Sequence, residues 1–333
     1  MKLAEVGEFG LIDRIHRIIG GGCEGITVGM GDDAAVFRTR PGWLTVITTD
    51  SLVEGVHFNR QYTPVESLGW KTLAINISDI TAMGGVPRYG VVSLALPENW
   101  TVEDVDSLYR GMVRCGEVYG CTLVGGDTVR SCSGCFISAT VVGEVEEDCF
   151  VKRSGAQEGD LLCMTGEVGG SRVGLEVLTS GKDRNQFPHS VGRFLEPKVR
   201  LQEARWLVKT LGVSSMIDIS DGLSSEINHI CRQSRLGCVV WEEKIPVAEE
   251  AVLWANIRGE KISAYKLESG EEYELVFTVD RDRYDKWRAH AKDRSDVSVT
   301  AIGEMTRKEK GIRVNRDGEV LPLTPIGWDH FDE

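Results

Sequence analysis

Six aspartates in this sequence occupy positions where a carboxylate is unfavourable unless a cation lies nearby. They stand at the junctions of predicted elements or late in a predicted helix: Asp33, Asp50, Asp79, Asp127, Asp218 and Asp221. Carboxylates repel one another, so a site that gathers several of them implies several cations, and Mg²⁺ suits oxygen ligands of this kind. Such a site is typical of phosphoryl transfer. The spacing does not itself show that these side chains meet, so their convergence is an expectation for the structure.

The acidic turn at 29–36 is the most concentrated of these signals. Asp32 and Asp33 are adjacent there, between glycines and a short apolar run. The same residues match a G-x-G-x-x-A dinucleotide fingerprint, with Asp50 at a suitable distance to bind a ribose. A pyrophosphate on this turn would meet two carboxylates where backbone amides should face it. The metal interpretation is therefore favoured over the nicotinamide one.

Three of the six aspartates end predicted strands. These are Asp50, after a β-branched run that finishes with Thr48 and Thr49, then Asp127 and Asp218. The two hydroxyls add oxygen ligands beside Asp50, and the glycines before Asp127 let a ligand approach the backbone closely. A turn-forming role is the alternative for Asp50.

The remaining two acids lie on or beside predicted helices. Asp79 falls in the second half of a helix predicted over 64–83, near the negative end of its dipole, where a cation would compensate it. A solvent-exposed face is the alternative there. Asp221 precedes a predicted helix that extends through residue 230, and capping that helix is its alternative role.

Length and charge bound the class of protein. A chain of 333 residues exceeds the usual size of one core, and an acidic stretch at 144–148 is the predicted boundary between domains 1–148 and 149–333. The net charge of −13 argues against nucleic acid as a partner. It does not exclude small phosphates, because metal ions reverse the local field.

Cysteine usage and the start of the chain indicate a cytoplasmic protein. Nine scattered cysteines favour reduced thiols, and the CxxC pair Cys132 and Cys135 has no second pair to complete a zinc site. The acidic Glu5 comes early in the chain, and no apolar run is long enough for a signal peptide or membrane span. No GxxxxGK[ST] motif occurs, so a P-loop is absent.

Two further segments could contribute to a site. Residues 182–197 predict a long polar loop, a candidate lid. The aromatic tail at 327–331 is expected either to pack as a hydrophobic clasp or, through Trp328, to stack on a flat ligand ring.

Eight segments together resemble the thiamine-monophosphate kinase family. They run in order along nearly the whole chain: GEFGLI (7–12), GDDAA (31–35), TTDSLVEGVHF (48–58), NISDI (76–80), GGDT (125–128), RSGA (153–156), DISDGL (218–223) and GWDHF (327–331). The combined pattern is highly specific.

The resemblance implies a two-domain α/β (α+β) fold, shared with aminoimidazole ribonucleotide synthetase and selenophosphate synthetase. An N-terminal mixed sheet with helices would bind Mg²⁺ and ATP and pair across a homodimer. A three-layer C-terminal α/β domain would complete the substrate site. The implied reaction is the last step of thiamine diphosphate biosynthesis, in which ATP phosphorylates thiamine monophosphate.

Residue roles follow from the resemblance by matching positions. Ligands of several Mg²⁺ ions, direct or through water, would be Asp33, Thr48, Thr49, Asp50, Asp79, Asp127, Asp218 and Asp221, with Asp50, Asp79 and Asp127 as the catalytic set. ATP would contact Tyr109, Gly126, Asp127, Arg153 and Ser220, and thiamine monophosphate would contact His57, Glu271 and Trp328.

One position departs from the family pattern. Where the family commonly has Gly-Gly-Glu-Asp-Tyr-Glu-Leu, this chain reads SGEEYEL at 269–275. Glu272 leaves Glu271 in register, but its own role stays open.

Two other functions remain as alternatives. Another synthetase of the same superfamily is possible because fold alone does not fix activity. Cys23 follows three glycines but lacks the selenophosphate synthetase motif, and the sequence ends in Asp332-Glu333 rather than the reactive cysteine of the related hydrogenase-maturation protein. A non-enzymatic metal- or nucleotide-binding regulator is disfavoured because every matched acid is present.

Overall fold

A computed structural model of the chain describes residues 26–28, 35–290 and 298–328. Asp33 and the rest of the turn at 29–34 lie outside the described residues, as do the GEFGLI segment at 7–12 and the tail after Trp328. The described chain forms two mixed sheets with helices packed on them. The predicted α/β class is confirmed.

The first sheet contains six strands in the order β1-β2-β3-β6-β4-β5. Their bounds are β1 (Ile26–Val28), β2 (Ala35–Arg40), β3 (Trp43–Val53), β4 (Val86–Leu96), β5 (Thr122–Arg130) and β6 (Phe136–Glu146). Only β4 and β5 run parallel; the other neighbours are antiparallel. Helices α1 (Val65–Ala82) and α2 (Val102–Tyr119) belong to this half, and α1 packs on the sheet's inner face through Leu73, Ile77 and Ile80.

The second sheet contains seven strands in the order β13-β12-β9-β11-β7-β10-β8. Their bounds are β7 (Leu161–Thr165), β8 (Ser215–Asp218), β9 (Leu236–Trp241), β10 (Leu275–Val279), β11 (Val299–Arg307), β12 (Ile312–Arg316) and β13 (Glu319–Pro322). The central strands β7, β8 and β10 are buried along their whole length, as expected for strands covered on both faces.

Helices cover both faces of the second sheet. They are α3 (Gly170–Ser180), α4 (Pro188–Leu195), α5 (Leu201–Trp206), α6 (Leu223–Ser234), α7 (Glu249–Arg258), α8 (Ile262–Leu267) and α9 (Arg281–His290). Ile227 and Ile230 of α6 pack on one face, and Ala204 of α5 and Tyr284 of α9 pack on the other. The three-layer prediction is therefore confirmed. None of the described helices combines the length and apolar character needed to cross a bilayer.

The predicted loop at 182–197 is wrong in part. A short turn of 3-10 helix at Arg184–Gln186 leads into α4, which begins at Pro188, a residue well suited to the first turn of a helix. Val191, Phe194 and Leu195 are buried on one side of α4. Their i, i+3, i+4 spacing is the helical signal that the polar flanking residues obscured.

Side chains pack and form hydrogen bonds between the two halves. Tyr273, which precedes β10, packs into the apolar cluster of the first half with Leu52 and Phe58. Trp70 of α1 donates its indole N–H to the carbonyl of Pro197 over 2.8 Å. The proposed boundary at residue 148 stays a prediction, but the sheets themselves change between the end of β6 and the start of β7.

Helices α1 and α2 pack against each other through glycines. A Cβ built on Gly69 would lie 1.9 Å from the carbonyl oxygen of Leu108, and one built on Gly111 would lie 1.8 Å from that of Glu66. Any side chain at either position would therefore push the helix backbones apart. Because α1 also carries Asp79, this contact sets the height of that acid above the sheet.

We predict that Gly69→Ala destabilises the protein, since overpacking of backbone against backbone outweighs the better helix propensity of alanine. The expected loss in free energy of unfolding is about 2 kcal/mol. Gly192→Ala is the matched control, because a Cβ on this glycine of α4 meets nothing within 4 Å. That change should raise the free energy of unfolding by about 0.5 kcal/mol. Urea titration measures both, and equal effects would contradict the packing argument.

Candidate functional site

Polar side chains meet where the second half of α1 crosses strand β3. The Thr48 hydroxyl donates to Asp79 Oδ2 over 2.6 Å, and the Asp50 backbone N–H donates to Asn76 Oδ1 over 3.0 Å. Asn76 and Asp79 are three residues apart in α1 and so share a face. The structure therefore brings Thr48, Asp50 and Asp79, three predicted metal ligands, to the end of one helix.

An acid from the second half reaches the same end of α1. Strand β8 ends at Asp218, whose Oδ2 accepts a hydrogen bond of 2.5 Å from the Ser78 hydroxyl. Ser78 and Asp218 are both almost fully buried. Ser78 adjoins Asp79 in sequence, so an acid from the second half reaches the turn of α1 that carries Asp79. Burial of like charges is costly without hydrogen bonds or cations.

The phenol of Tyr273 marks the place where these acids gather. Its pKa is raised well above its ordinary value, first by burial and then by the negative charges of Glu271, Asp50, Asp218 and Asp221. Those four carboxylates come from both halves of the chain. Asp50, Asp218 and Asp221, which were expected to converge, thus all raise the pKa of one buried group.

Glu226 is a buried acid that the sequence reasoning missed. It accepts hydrogen bonds from the Asp221 backbone N–H, over 3.0 Å, and from the Ser220 hydroxyl, over 3.3 Å. Burial, followed by the charge of Asp221, raises its pKa well above the usual range, while Arg153 opposes this shift. The signal was a glutamate on the apolar face of α6, beside Leu223 and Ile227, where a charge needs a partner.

The donor set matches magnesium in chemistry. Within the described ranges, no three histidine, cysteine, aspartate or glutamate side chains form a ready-made metal centre, and Asp33 lies outside those ranges. The donors gathered around α1 are the hydroxyl of Thr48 and the carboxylates of Asp50, Asp79 and Asp218. Hydroxyl and carboxylate oxygens suit Mg²⁺ rather than a soft cation. Magnesium binding stays a prediction.

Asp127 stands apart from this group. In the register of the first sheet, Asp50 lies in line with Ala139, Val92 and Gly126, whereas Asp127 lies in the next row. Asp50 on β3 and Asp127 on β5 are three strand spacings apart, about 14 Å across the sheet. Side chains alternate along a strand, so Asp127 projects to the exposed face of the sheet and Asp50 to the face covered by α1.

The predicted ATP contacts fall at different places. The Ser220 hydroxyl bonds to Glu226, and the charge of Arg153 lowers the pKa of the same carboxyl. Gly126 is on the edge strand β5, and a Cβ there would lie 2.0 Å from the carbonyl oxygen of Val92, so only glycine fits. Tyr109 of α2 is half-buried against the apolar cluster that contains Tyr273. Arg153 and Ser220 thus both act on Glu226 in the second half, whereas Gly126 belongs to the sheet of the first.

Each predicted substrate contact takes part in a hydrogen bond with a backbone group. His57 Nδ1 accepts the Val53 backbone N–H over 3.1 Å, which leaves its proton on Nε2 when the ring is neutral. The Trp328 backbone N–H donates to the Asp221 carbonyl over 3.1 Å, and 54% of the Trp328 residue surface is exposed. The tail is therefore tied to the acidic loop with an aromatic face open to solvent, so the hydrophobic-clasp interpretation is not supported for Trp328.

Glu271 carries the third predicted substrate contact. Its backbone N–H donates to the Ser220 carbonyl over 2.7 Å, and its Oε1 lies 2.7 Å from Nζ of the buried Lys71 of α1. Glu271 and Tyr273 both have positive φ, 56° and 54°, a strained conformation for residues with side chains. The loop is therefore held by contacts on both sides rather than by its own backbone preference.

Glu272 has a structural role. Its Oε1 accepts the backbone N–H groups of Gly169 and Ser171, over 2.7 and 3.2 Å, at the start of α3. Ser269 Oγ donates to the same oxygen over 2.6 Å. Burial raises the pKa of Glu272 to about 7, against the lowering effect of Arg193 and these hydrogen bonds. The departure from the family pattern therefore serves to cap a helix.

Two family models match the chain. Residues 31–145 match the AIR synthase related protein, N-terminal domain, and residues 157–315 match the AIR synthase related protein, C-terminal domain. Together they cover most of both sheets, from β2 to β12.

The chain is also similar to curated and solved relatives along its whole length. The thiamine-monophosphate kinase of Aquifex aeolicus is 37% identical, and the match covers 99% of this chain and 100% of the relative. That of Bacillus subtilis is 33% identical, with 92% and 94% covered. A solved structure described as AaThiL complexed with AMPPCP and TMP has a TM-score of 0.86 at 35% identity and 99% coverage of both chains.

We predict that Glu272 makes stability depend on pH. Its folded pKa of about 7 exceeds the ordinary value of 4.5, so its contribution is fully present below pH 4.5 and is lost as the pH rises through 7. The free energy of unfolding of the wild type, relative to Glu272→Gln, should fall by on the order of 3 kcal/mol across that range. Urea titrations at several pH values measure it. Glu309→Gln, at an exposed position, is the control, and a difference that does not vary with pH would refute the assignment.

Proposed function

This chain belongs to the thiamine-monophosphate kinase family, and on that premise we propose that it transfers the γ-phosphoryl group of ATP to thiamine monophosphate. The products are ADP and thiamine diphosphate. The proposal takes ATP and the acceptor from the relatives' names and from the ligands of AaThiL. It makes this enzyme the last step in thiamine diphosphate formation.

One observation carries the proposal. Asp218 of the second half bonds to Ser78 of the first, in the same turn of α1 that carries the Thr48–Asp79 pair, and so brings acids from the two halves to one end of this helix. Phosphoryl transfer between two polyanions needs such a place, where the charge of both phosphate chains can be offset. A regulator that binds only one ligand would not need an acid from each half.

Magnesium ions would be held by the acids already described. Thr48, Asp50, Asp79 and Asp218 support this part of the proposal by their positions around the end of α1, and Asp33 is expected to add to them. Thr49, also a predicted ligand, projects from the opposite face of β3. When bound, Mg²⁺ would neutralise charge on the phosphate oxygens. Asp221 is held through its backbone by Glu226, which keeps the 218–222 loop fixed before ligands arrive.

The acceptor requires no general base. A phosphate monoester has its second pKa near 6, so the attacking oxygen is already largely ionised at neutral pH. The protein's task is in-line positioning of two phosphate chains. His57, which presents Nε2–H because Nδ1 is occupied by Val53, can donate to the acceptor's phosphate but is not needed to remove a proton.

The nucleotide would lie across the boundary between the halves. Arg153 offers a cation beside Ser220 and Glu226. Gly126 presents bare backbone at an exposed strand edge, which permits close approach of a ligand. Tyr109 would border the same space from α2.

A homodimer would bring Asp127 of one copy close to the first sheet of the other. The face of this sheet away from α1 exposes apolar side chains, among them Tyr89, Val91 and Val129, as a pairing surface would. Asp127 and Thr49 project from that same face, whereas Asp50 projects from the other. In a sheet-to-sheet dimer, Asp127 would therefore face the second copy and could act on that copy's ligands.

We predict that the purified protein makes thiamine diphosphate from thiamine monophosphate, ATP and Mg²⁺, and that Asp50→Asn removes most of this turnover. Loss of the carboxylate removes a metal ligand, and the isosteric amide keeps the shape. Rates should fall at least about 100-fold. Product formation is followed by chromatography. His57→Ala should instead chiefly raise the KM for thiamine monophosphate.

The controls separate fold from function. Circular dichroism and the unfolding midpoint of Asp50→Asn should match the wild type within error. Turnover of a different phosphoryl acceptor by the wild type, with no thiamine diphosphate formed, would rule out the proposed function. Near-normal kinetics for Asp50→Asn would remove Asp50 from the metal site.

The placement of Asp127 gives a complementation prediction. Asp127→Asn and Asp50→Asn should each be inactive alone, but a mixed dimer should contain one site with both natural acids if Asp127 acts across the interface. After subunit exchange in equal amounts, activity should reach about a quarter of the wild-type value, because half of the dimers are mixed and each has one intact site. If Asp127 acts within its own chain, mixing restores nothing.

A further inference from the structure

Lys71 is a buried lysine in the middle of α1. Only 3% of its side chain is exposed, although lysine is among the residues least often buried. Taking an ammonium out of water is costly unless it is paired. A position in contact with the second half of the molecule therefore needs a reason beyond packing.

Two groups compensate the buried ammonium. Nζ lies 2.7 Å from Glu271 Oε1, and it lies 3.9 Å from the centre of the Phe194 ring, in cation–π geometry. Phe194 belongs to α4 and Glu271 to the loop before β10, so both partners come from the second half. Lys71 thus extends from the first half to two partners in the second.

Contacts with Ser220 and Lys71 orient the carboxylate of Glu271. Its backbone has φ 56° and bonds to Ser220, and the ammonium of Lys71 contacts one carboxylate oxygen. Of its side chain, 28% remains exposed. Among the described residues, no side chain other than Lys71 pairs with this carboxylate. The second oxygen is therefore left for a ligand.

Helix α1 connects this contact with the phosphate end of the site. Lys71 and Asp79 are eight residues apart on the helix, which corresponds to about 12 Å along its axis. Thiamine monophosphate is an elongated acceptor with an aminopyrimidine ring at one end and a phosphate at the other. A rigid helix that fixes a partner for each end holds the two contacts at a constant separation.

We propose that Lys71 is a positioning residue for the acceptor: it orients Glu271 so that the free carboxylate oxygen accepts an N–H of the aminopyrimidine ring. This inference rests on the proposed function. Lys71 does not contact the reacting phosphates. Its effect is on how well the thiamine end is bound, through a carboxylate that would otherwise rotate freely and sit in a strained loop.

The test is steady-state kinetics of Lys71→Met, which keeps the length and apolar stem but removes the charge. The KM for thiamine monophosphate should rise about tenfold, the loss expected for one charge-assisted contact. The KM for ATP and kcat should change less than about twofold. Calorimetric binding of thiamine monophosphate alone should weaken by the same factor. Lys71→Arg should recover part of the affinity.

Lys209→Met is the matched control. Lys209 forms another lysine–glutamate pair between the halves, with Glu146 at 2.8 Å. Its loss should leave the KM for thiamine monophosphate unchanged. A merely structural role for Lys71 would instead lower kcat and the unfolding midpoint without a selective change in this KM.

A double variant decides whether Lys71 acts through Glu271. Once Glu271→Gln has removed the carboxylate, adding Lys71→Met should have little further effect on the KM. Additive effects would overturn the inference, as would an unchanged KM in Lys71→Met when the wild type is active. A wild type that forms no thiamine diphosphate would overturn the proposed function and this inference with it, so the two failures are distinguishable.

Discussion

The arrangement of the site depends on the contacts made by the turn at 271–274, which contains three glutamates. Its three carboxylates go to three parts of the molecule: Glu271 to Lys71 of the first half, Glu272 to the start of α3, and Glu274 to Arg193 and Arg200. Between them, Tyr273 enters the core of the first half. Two residues of the turn have positive φ, so the strain is sustained by contacts on every side.

The carboxylates of this turn are met by partners within the fold: Glu271 by a lysine, Glu274 by two arginines, and Glu272 by backbone amides at the start of α3. Around α1, hydroxyl groups donate hydrogen bonds to Asp79 and Asp218, and Asn76 accepts one from the Asp50 backbone. The acids of the turn therefore join the two halves, whereas the acids around α1 are the ones predicted to bind a cation.

The sequence predicted the positions of two of these acids in their elements: Asp79 lies late in α1, and Asp218 ends β8. The prediction that Asp50 and Asp127 end strands is wrong, because β3 continues to Val53 and β5 to Arg130. Glu226, Lys71 and the cap made by Glu272 depend on pairings across 5 to more than 100 residues, for which a single sequence carries no spacing rule. Only the sheet register shows that Asp50 and Asp127 project from opposite faces.

The packing of Tyr273 affects whether the two halves can evolve as separate domains. A first half without it would carry an aromatic-sized cavity in its own core beside Leu52 and Phe58. Neither half is therefore an independent module that recombination could transplant unchanged. Unfolding should proceed as one cooperative event rather than sheet by sheet, and changes in one core must be accommodated by the other as the family diverges.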